Sequence, residues 1–210
     1  FPQSKYIAES NYYLGFAYFQ NEEWNKAISQ IKTFLESADD KTIFTNQANY
    51  ILALSYFHTR DFQSALKLFQ TITKNVSNQP SIVQTAEIFI GKCLFELGQT
   101  AEAIKHFQQI TQLYPLTEGH QDALIWLGEY YLEKQDFQNA ITPYQTFIAT
   151  FPGSPKINLV YYEMGQSFQA MGEFDKALTA FRQVGAAGDK AVFAKAQLAI
   201  ADIFSRETGT

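Results

Sequence analysis

The side chains best suited to acid–base, nucleophilic or metal chemistry in this 210-residue chain are three histidines, one cysteine and scattered carboxylates. They do not converge. His58, His106 and His120 fall at unrelated points, and no His-x-x-x-His, Cys-x-x-Cys or Glu-x-x-His pair is present to hold a metal. The glycines are spread along the chain, so no phosphate-cradling loop forms. Asp39 and Asp40 are adjacent in a loop-like segment, where solvation is their expected role. Cys93 stands alone, which excludes an internal disulfide, and its apolar setting reads as a small buried residue. No enzyme, cofactor or metal site is expected. A formal charge of −5 and a pI near 5.2 argue against gripping nucleic acid through its phosphates. No apolar run approaches the length of a membrane span, so direct membrane insertion is not expected.

What the chain does contain is a repeated spacing. A Gly or Ala in an apolar stretch is followed twelve residues later by Ala, then four later by a large apolar residue. The sets are Gly15/Ala27/Ile31, Ala53/Ala65/Phe69, Gly91/Ala103/Phe107, Gly128/Ala140/Tyr144 and Gly165/Ala177/Phe181. The anchors step by 38, 38, 37 and 37 residues. A fixed period in this range marks a solenoid, in which each unit touches only its neighbours and an extended surface replaces a single closed pocket.

Each unit reads as two antiparallel helices. In the fourth, residues 121–134 place Leu124, Leu127, Tyr131 and Leu132 three and four apart, as a buried helix face requires. Gln135 and Asp136 break the pattern, and Asp136 can cap a second helix starting near Phe137. Gly128 and Ala140 are expected where the two helices cross, since a bulky side chain at either would push the backbones apart. Ala65, Ala103 and Ala177 should be buried at the same register. Trp24, Phe62, Phe137 and Phe174 each precede the repeat's Ala by three and fill the remaining space. Pro143, inside the second helix, cannot donate to the Asn139 carbonyl and is expected to bend it locally.

In this register the chain resembles the tetratricopeptide repeat (TPR) family. The motifs are L-G-F-A-Y (14–18), L-A-L-S-Y (52–56), I-G-K-C-L (90–94), L-G-E-Y-Y (127–131) and M-G-Q-S-F (164–168), each followed by A-x-x-x-[FYI]. The resemblance implies an all-α fold, an α-solenoid of antiparallel helix pairs with a right-handed superhelical twist. It places repeats at about 5–38, 46–76, 82–114, 120–151 and 157–187 in a single array over 1–210, with an extra helix at 190–205. The units exceed the usual 34-residue repeat, and the extra residues fall between repeats. That spacing, with ends such as Phe151-Pro152-Gly153-Ser154, is also similar to bacterial envelope TPR proteins of the barrel-assembly lipoprotein and Tol-Pal-associated types. A periplasmic or envelope setting is favoured on that ground. Phe1-Pro2-Gln3-Ser4 repeats the Phe151–Ser154 pattern, so the sequence reads as a slice of a longer protein; it shows no initiator Met, signal peptide or lipidation Cys near its start.

In this family the first helix of each repeat lines a concave side, at positions two, five, nine, twelve and thirteen when the Gly or Ala is eighth. The residues so implied as a peptide-binding face include Tyr12, Phe16, Phe19, Tyr50, Leu54, Phe57, Ile88, Lys92, Glu96, Asp122, Glu129, Glu133, Tyr162 and Gln166. At position five, packing between adjacent helices would equally explain Tyr12, Tyr50 and Tyr162. The apolar Phe16 and Leu54 at position nine are less easily explained that way. The early part of this face is aromatic, whereas Glu96, Asp122, Glu129 and Glu133 make the later part acidic, opposed only by Lys92. The acidic residues could alternatively serve only solubility. The carboxylate clamp that other family members use on chaperone C-termini needs Lys at five and Asn at nine, and neither is present.

The expected function is a non-catalytic scaffold that binds a partner protein. Its ligand would be a peptide or amphipathic helix with apolar anchors at one end and Lys or Arg toward the other. The alternative is an architectural segment of a longer array that self-associates or assembles end to end.

Overall fold

The structure, a computed structural model, describes residues 5–37, 44–75 and 80–208. Phe1–Ser4 and Asp39-Asp40, singled out in the sequence, lie outside the described residues, as do most of the segments between the first three repeats. The described residues form eleven helices and no strand. They are α1 (Lys5–Gln20), α2 (Trp24–Ser37), α3 (Thr45–His58), α4 (Phe62–Asn75), α5 (Pro80–Glu96), α6 (Thr100–Leu113), α7 (Glu118–Glu133), α8 (Phe137–Thr150), α9 (Ile157–Ala170), α10 (Phe174–Arg182) and α11 (Lys190–Thr208). This is the all-α solenoid of helix pairs that the spacing implies. The chain divides into two compact units, Phe1–His106 and Phe107–Thr210, the boundary falling within α6.

Within each unit the helix pairs meet where the small residues stand. Ala27, Ala65, Ala103, Ala140 and Ala177 are all fully buried. The anchor glycines give the physical reason. A Cβ on Gly15 would lie 2.7 Å from the Ile31 side chain, and one on Gly165 would lie 2.6 Å from the Phe181 ring. At Gly128 the Tyr144 ring lies closer still. The anchor of the first helix therefore forms a seat, and the large residue sixteen positions later lies directly on it.

The turn between paired helices is equally regular. Seven residues after each anchor stands a residue with positive φ: Glu22, Arg60, Gly98, Gln135 and Gly172, at φ 60, 65, 78, 58 and 75°. Its amide donates to the carbonyl three residues back, and the next amide donates to the carbonyl five back. Examples are Gln135 N to Leu132 O at 3.0 Å and Asp136 N to Tyr131 O at 2.8 Å. This is a Schellman cap, which closes the last carbonyls of the first helix. The residue after it opens the second helix: Asp136 O accepts from Ala140 N at 3.0 Å, and Asp61 O from Ala65 N at 3.0 Å. The Asp136 side chain also accepts from Asn139 N, as the sequence suggested. Pro143 is buried within α8, and the helix continues past it to Thr150.

In the first unit, Ala53, Phe69, Ala86 and Cys93 build one core, and Ile31, Phe34 and Ile51 another. In the second, Leu124, Tyr144, Phe147 and Val160 form one core and Phe168, Phe181, Val184 and Ile203 another.

Two substitutions of opposite sign test this register. Ala140→Leu should overpack the α7–α8 crossing and cost roughly 1–3 kcal/mol. Gln135→Gly relieves a left-handed φ carried by a residue with a Cβ, and should stabilise by up to about 1 kcal/mol, although glycine inside a helix destabilises. Urea unfolding of both variants reads the two effects; a destabilised Gln135→Gly would show that the turn does not adopt this cap.

Candidate functional site

The residues assigned to the binding face divide by burial. In the first unit Tyr12, Leu54 and Ile88 are 8%, 9% and 4% exposed, so they belong to the core. Tyr12 stacks on Phe44 at 4.6 Å and tilts against Phe34 at 5.5 Å, which is the packing alternative weighed for position five. Leu54 lies in the cluster with Phe69 and Ile90, so the apolar residue at this position nine serves packing after all. Phe16, at the equivalent position of α1, is 40% exposed and keeps its place on the surface. Phe19, Tyr50 and Phe57 are half-buried. Phe19 meets the Trp24 edge at 5.4 Å, and Phe57 meets Phe62 at 5.4 Å and Phe89 at 5.0 Å. Burial pushes the Tyr50 hydroxyl above its ordinary range, and a hydrogen bond with Thr85 acts in the opposite direction. Lys92 lies 5.3 Å over the Phe89 ring, and Glu96 is exposed at the end of α5.

The remaining reactive groups of this unit have structural partners. His58 stacks on Trp24 at 4.2 Å, nearly parallel. The His106 ring nitrogen lies 2.9 Å from the Glu87 carbonyl and 3.1 Å from its carboxylate. Cys93 is fully buried, and desolvation pushes its thiol up to about 12, so thiolate chemistry is suppressed. It stands two residues after its anchor. Ser55 and Ser167 occupy the same register, are also fully buried, and donate to carbonyls of their own helices.

In the second unit, Asp122 is held by Lys156, which also reaches Glu118 at 3.8 Å. The acidic stretch is therefore opposed by a second lysine, which the sequence reading did not place there. Together with the Ser154 hydroxyl donating to Gln121 at 2.6 Å, this pair ties the start of α9 to α7. Glu129 and Glu133 are exposed, one turn apart on α7. Tyr162 tilts against Phe181 at 5.8 Å, and Gln166 is half-buried. His120 is buried, its ring edge set against Phe151 at 5.2 Å, and burial lowers its proton affinity. Among the described residues no group of His, Cys, Asp or Glu is arranged to hold a metal, and no helix is long and apolar enough to cross a membrane.

One residue was missed by the sequence reading. Glu163, on α9, is largely buried against Tyr144 of α8 and near Glu129 of α7. Burial first, then the Glu129 charge, push its carboxyl up from the ordinary 4.5 to about 7, against a smaller opposing effect of the Tyr144 hydroxyl. The Tyr144 hydroxyl and the Glu163 carboxyl interact with each other through a hydrogen bond and through charge, and burial with the Glu163 charge raises the Tyr144 hydroxyl well above its ordinary range. A signal did exist: the equivalent positions in the other repeats are Tyr13, Ile51, Phe89 and Trp126, all large rings or branched apolar chains.

With five such pairs in register, the chain is a tetratricopeptide repeat protein. More narrowly, residues 90–196 match the family described as YfiO, outer membrane lipoprotein; that is just over half of the chain, and the chain belongs to this family. Residues 40–110 also match the family of anaphase-promoting complex, cyclosome, subunit 3. No curated protein sequence matches the chain. Among solved structures, the C-terminal part of a TPR protein from Cytophaga hutchinsonii is 22% identical, with a TM-score of 0.65, over 82% of this chain and 63% of its own. The apo form of RapI is 13% identical, with a TM-score of 0.76, over 95% of this chain and 63% of its own. The Rap conjugation gene regulator of plasmid pLS20, in complex with the Phr* peptide, is 15% identical, with a TM-score of 0.59, over 82% and 50%. The chain thus spans less than two thirds of the length of each.

The Glu163 carboxyl binds its proton more tightly in the folded state than in the unfolded one, so its contribution is complete below about pH 4.5 and is lost as pH rises to about 7. Stability should fall across that window by at most about 1.4 kcal/mol per pH unit. Thermal melts of wild type and Glu163→Gln between pH 4.5 and 8 check this; equal slopes would show that Glu163 does not carry the effect.

Proposed function

We propose that this chain is a non-catalytic protein–protein interaction scaffold, working in assembly at the bacterial envelope, that holds a peptide or helix of a partner against its first-helix faces. The observation that carries this reading is the pair Glu129 and Glu133, exposed one turn apart on α7 where the repeat register puts the ligand side. The family description supplies the envelope setting, and the peptide bound to the related Rap fold is the precedent for the ligand class. On this reading the second unit presents Glu129, Glu133, Tyr162 and Gln166, and the first presents Phe16, Phe19, Tyr50, Phe57, Lys92 and Glu96. Tyr12, Leu54 and Ile88 support these faces from the core, and Asp122 is engaged by Lys156. A partner segment complementary to these faces carries apolar anchors and basic residues.

A second reading has its own observation. Tyr13 and Leu14 of α1 and Leu198 and Phe204 of α11 are large apolar residues left exposed, as end-to-end association of arrays would require. Sedimentation velocity at rising concentration separates the two: a constant monomer mass excludes self-association.

For the scaffold, a partner identified by crosslinking is titrated against variants at two ionic strengths. Phe16→Ser should weaken binding by about 1 kcal/mol or more at any salt. Glu129→Gln with Glu133→Gln should weaken it by about 0.5 kcal/mol per charge at low salt and less at physiological salt, where screening acts within about 8 Å. Affinity unmoved by either change would show that the first-helix faces are not the docking surface.

A further inference from the structure

Between α9 and α10 an apolar cleft of about 300 Å³ opens to solvent. Tyr161, Met164 and Phe168, spaced three and four apart on α9, form its wall together with Ala180 of α10. Asp175, Lys176, Thr179 and Gln183, all exposed on α10, surround the mouth. The proposed ligand face takes no part in it, since Tyr162 and Gln166 lie on another side of α9.

The repeat register explains why there is room here. Fifteen residues after the anchor stand Gln30, Leu68, His106 and Pro143 in the first four repeats, and Ala180 in the fifth. Four residues before the anchor stand Asn11, Asn49, Glu87, Leu124 and Tyr161. In the third repeat these two positions close on each other, the His106 ring nitrogen lying 2.9 Å from the Glu87 carbonyl. In the fourth, Leu124 and Pro143 are both buried. Ala180 is too short to reach across, so Tyr161 and Met164 stay half-buried around the space its missing side chain leaves. That space is at the low end for a ligand pocket, with room for one large side chain and not for an extended molecule. The charges at the mouth narrow the guest further. Lys176 is already engaged, 2.6 Å from the Glu173 carboxylate and 5.5 Å over the Phe168 ring. The Asp175 carboxylate is engaged by no described residue. An aromatic wall thus ends at one uncompensated negative charge.

We propose that this cleft holds one aromatic side chain of a partner protein, with a neighbouring lysine or arginine of the partner paired to Asp175. A flat ring suits the walls, because it can stack or meet edge-on with Tyr161 and Phe168 and lie against the Met164 sulfur. The ring carries most of the affinity by taking apolar surface out of water. The exposed ion pair adds little energy and sets the preference for a basic neighbour. This surface is separate from the first-helix face, so the proposal stands whether or not that face is the docking surface.

The test uses the full 210-residue chain with its two methionines methyl-labelled for NMR. Met164 lines the cleft and Met171 does not, so the second signal is an internal control. The probe is the amide of N-acetyl-tryptophanyl-lysine, compared with the tryptophanyl-glutamate and alanyl-lysine counterparts. The tryptophanyl-lysine probe should shift Met164 saturably and leave Met171 in place. At low salt the glutamate probe should bind about threefold more weakly, and the alanyl probe should give no saturable shift. Ala180→Leu, which supplies the side chain that Leu68 has at the same register, should weaken binding at least tenfold. Thr179→Phe should do the same from an exposed position at the mouth, which keeps the test valid if leucine overpacks the floor. Asp175→Asn should remove the difference between the lysine and glutamate probes. A Met164 signal that does not move saturably would overturn the proposal. So would equal binding of the lysine and glutamate probes to the wild type, or a response that persists in both Ala180→Leu and Thr179→Phe. None of these outcomes bears on Phe16, Glu129 or Glu133, whose own titration decides the first-helix reading.

Discussion

The close approach of two helices over a residue with little or no side chain is the constraint on which the rest of the structure depends. At Gly165 the Phe181 ring occupies the space a Cβ would need, and Gly128 is covered in the same way by Tyr144. Contact this tight fixes both helices axially, because only one residue on each can occupy the crossing. The distance from anchor to seated residue is therefore fixed at sixteen, and the turn between them must fit that interval. Variation in repeat length is left to the segments between pairs, where the step changes from 38 to 37 residues without disturbing a crossing.

The Schellman turn follows from that interval. A first helix that has passed its anchor must reverse within seven residues so that Ala140 or Ala177 arrives opposite the glycine, and a left-handed residue achieves this in one position. Gly98 and Gly172 adopt that conformation freely, whereas Glu22, Arg60 and Gln135 adopt it with a Cβ. That non-glycine residues accept this φ in three of five turns shows that the crossing, rather than the turn sequence, determines the backbone there. The acid or amide that follows then starts the second helix, so one short segment both ends and begins a helix.

The crossings were legible in the sequence because they rest on residue size at fixed spacing, and size is what a sequence records most directly. The five buried alanines and the eleven helices follow from it. The turn was less legible: two glycines at equivalent positions hint at positive φ, but Glu22, Arg60 and Gln135 disguise the rule. Binding-face residues were harder because a first helix has two jobs. On the proposed reading it presents a face to a ligand, and it also packs on neighbouring helices, so Tyr12, Leu54 and Ile88 satisfy the family's positional rule for the face while lying in the core. Phe16 and Leu54 share a position and an apolar character, yet one is exposed and the other buried, and the difference lies in the neighbours each helix has. Glu163 escaped notice for the opposite reason. A lone glutamate on an amphipathic helix reads as solvent-facing, and only comparison with Ile51, Phe89 and Trp126 at the same register reveals that it points into a joint.

That joint shows what a repeat architecture permits. Where each unit contacts only its neighbours, the free energy of one interface is nearly independent of the others. A polar joint lowers stability at its own position and leaves the remaining crossings unchanged. In a single-cored domain, a buried hydroxyl and a carboxyl whose pKa is raised to about 7 would weaken the whole fold. Here the aromatic stacks at Phe69–Phe89 and Phe107–Trp126 continue to hold their own joints. A solenoid can therefore confine a buried polar pair to one crossing and keep its structure. The exception to the packing rule at Tyr144 and Glu163 is thereby held to one joint, while isoleucine, phenylalanine and tryptophan fill the equivalent positions elsewhere.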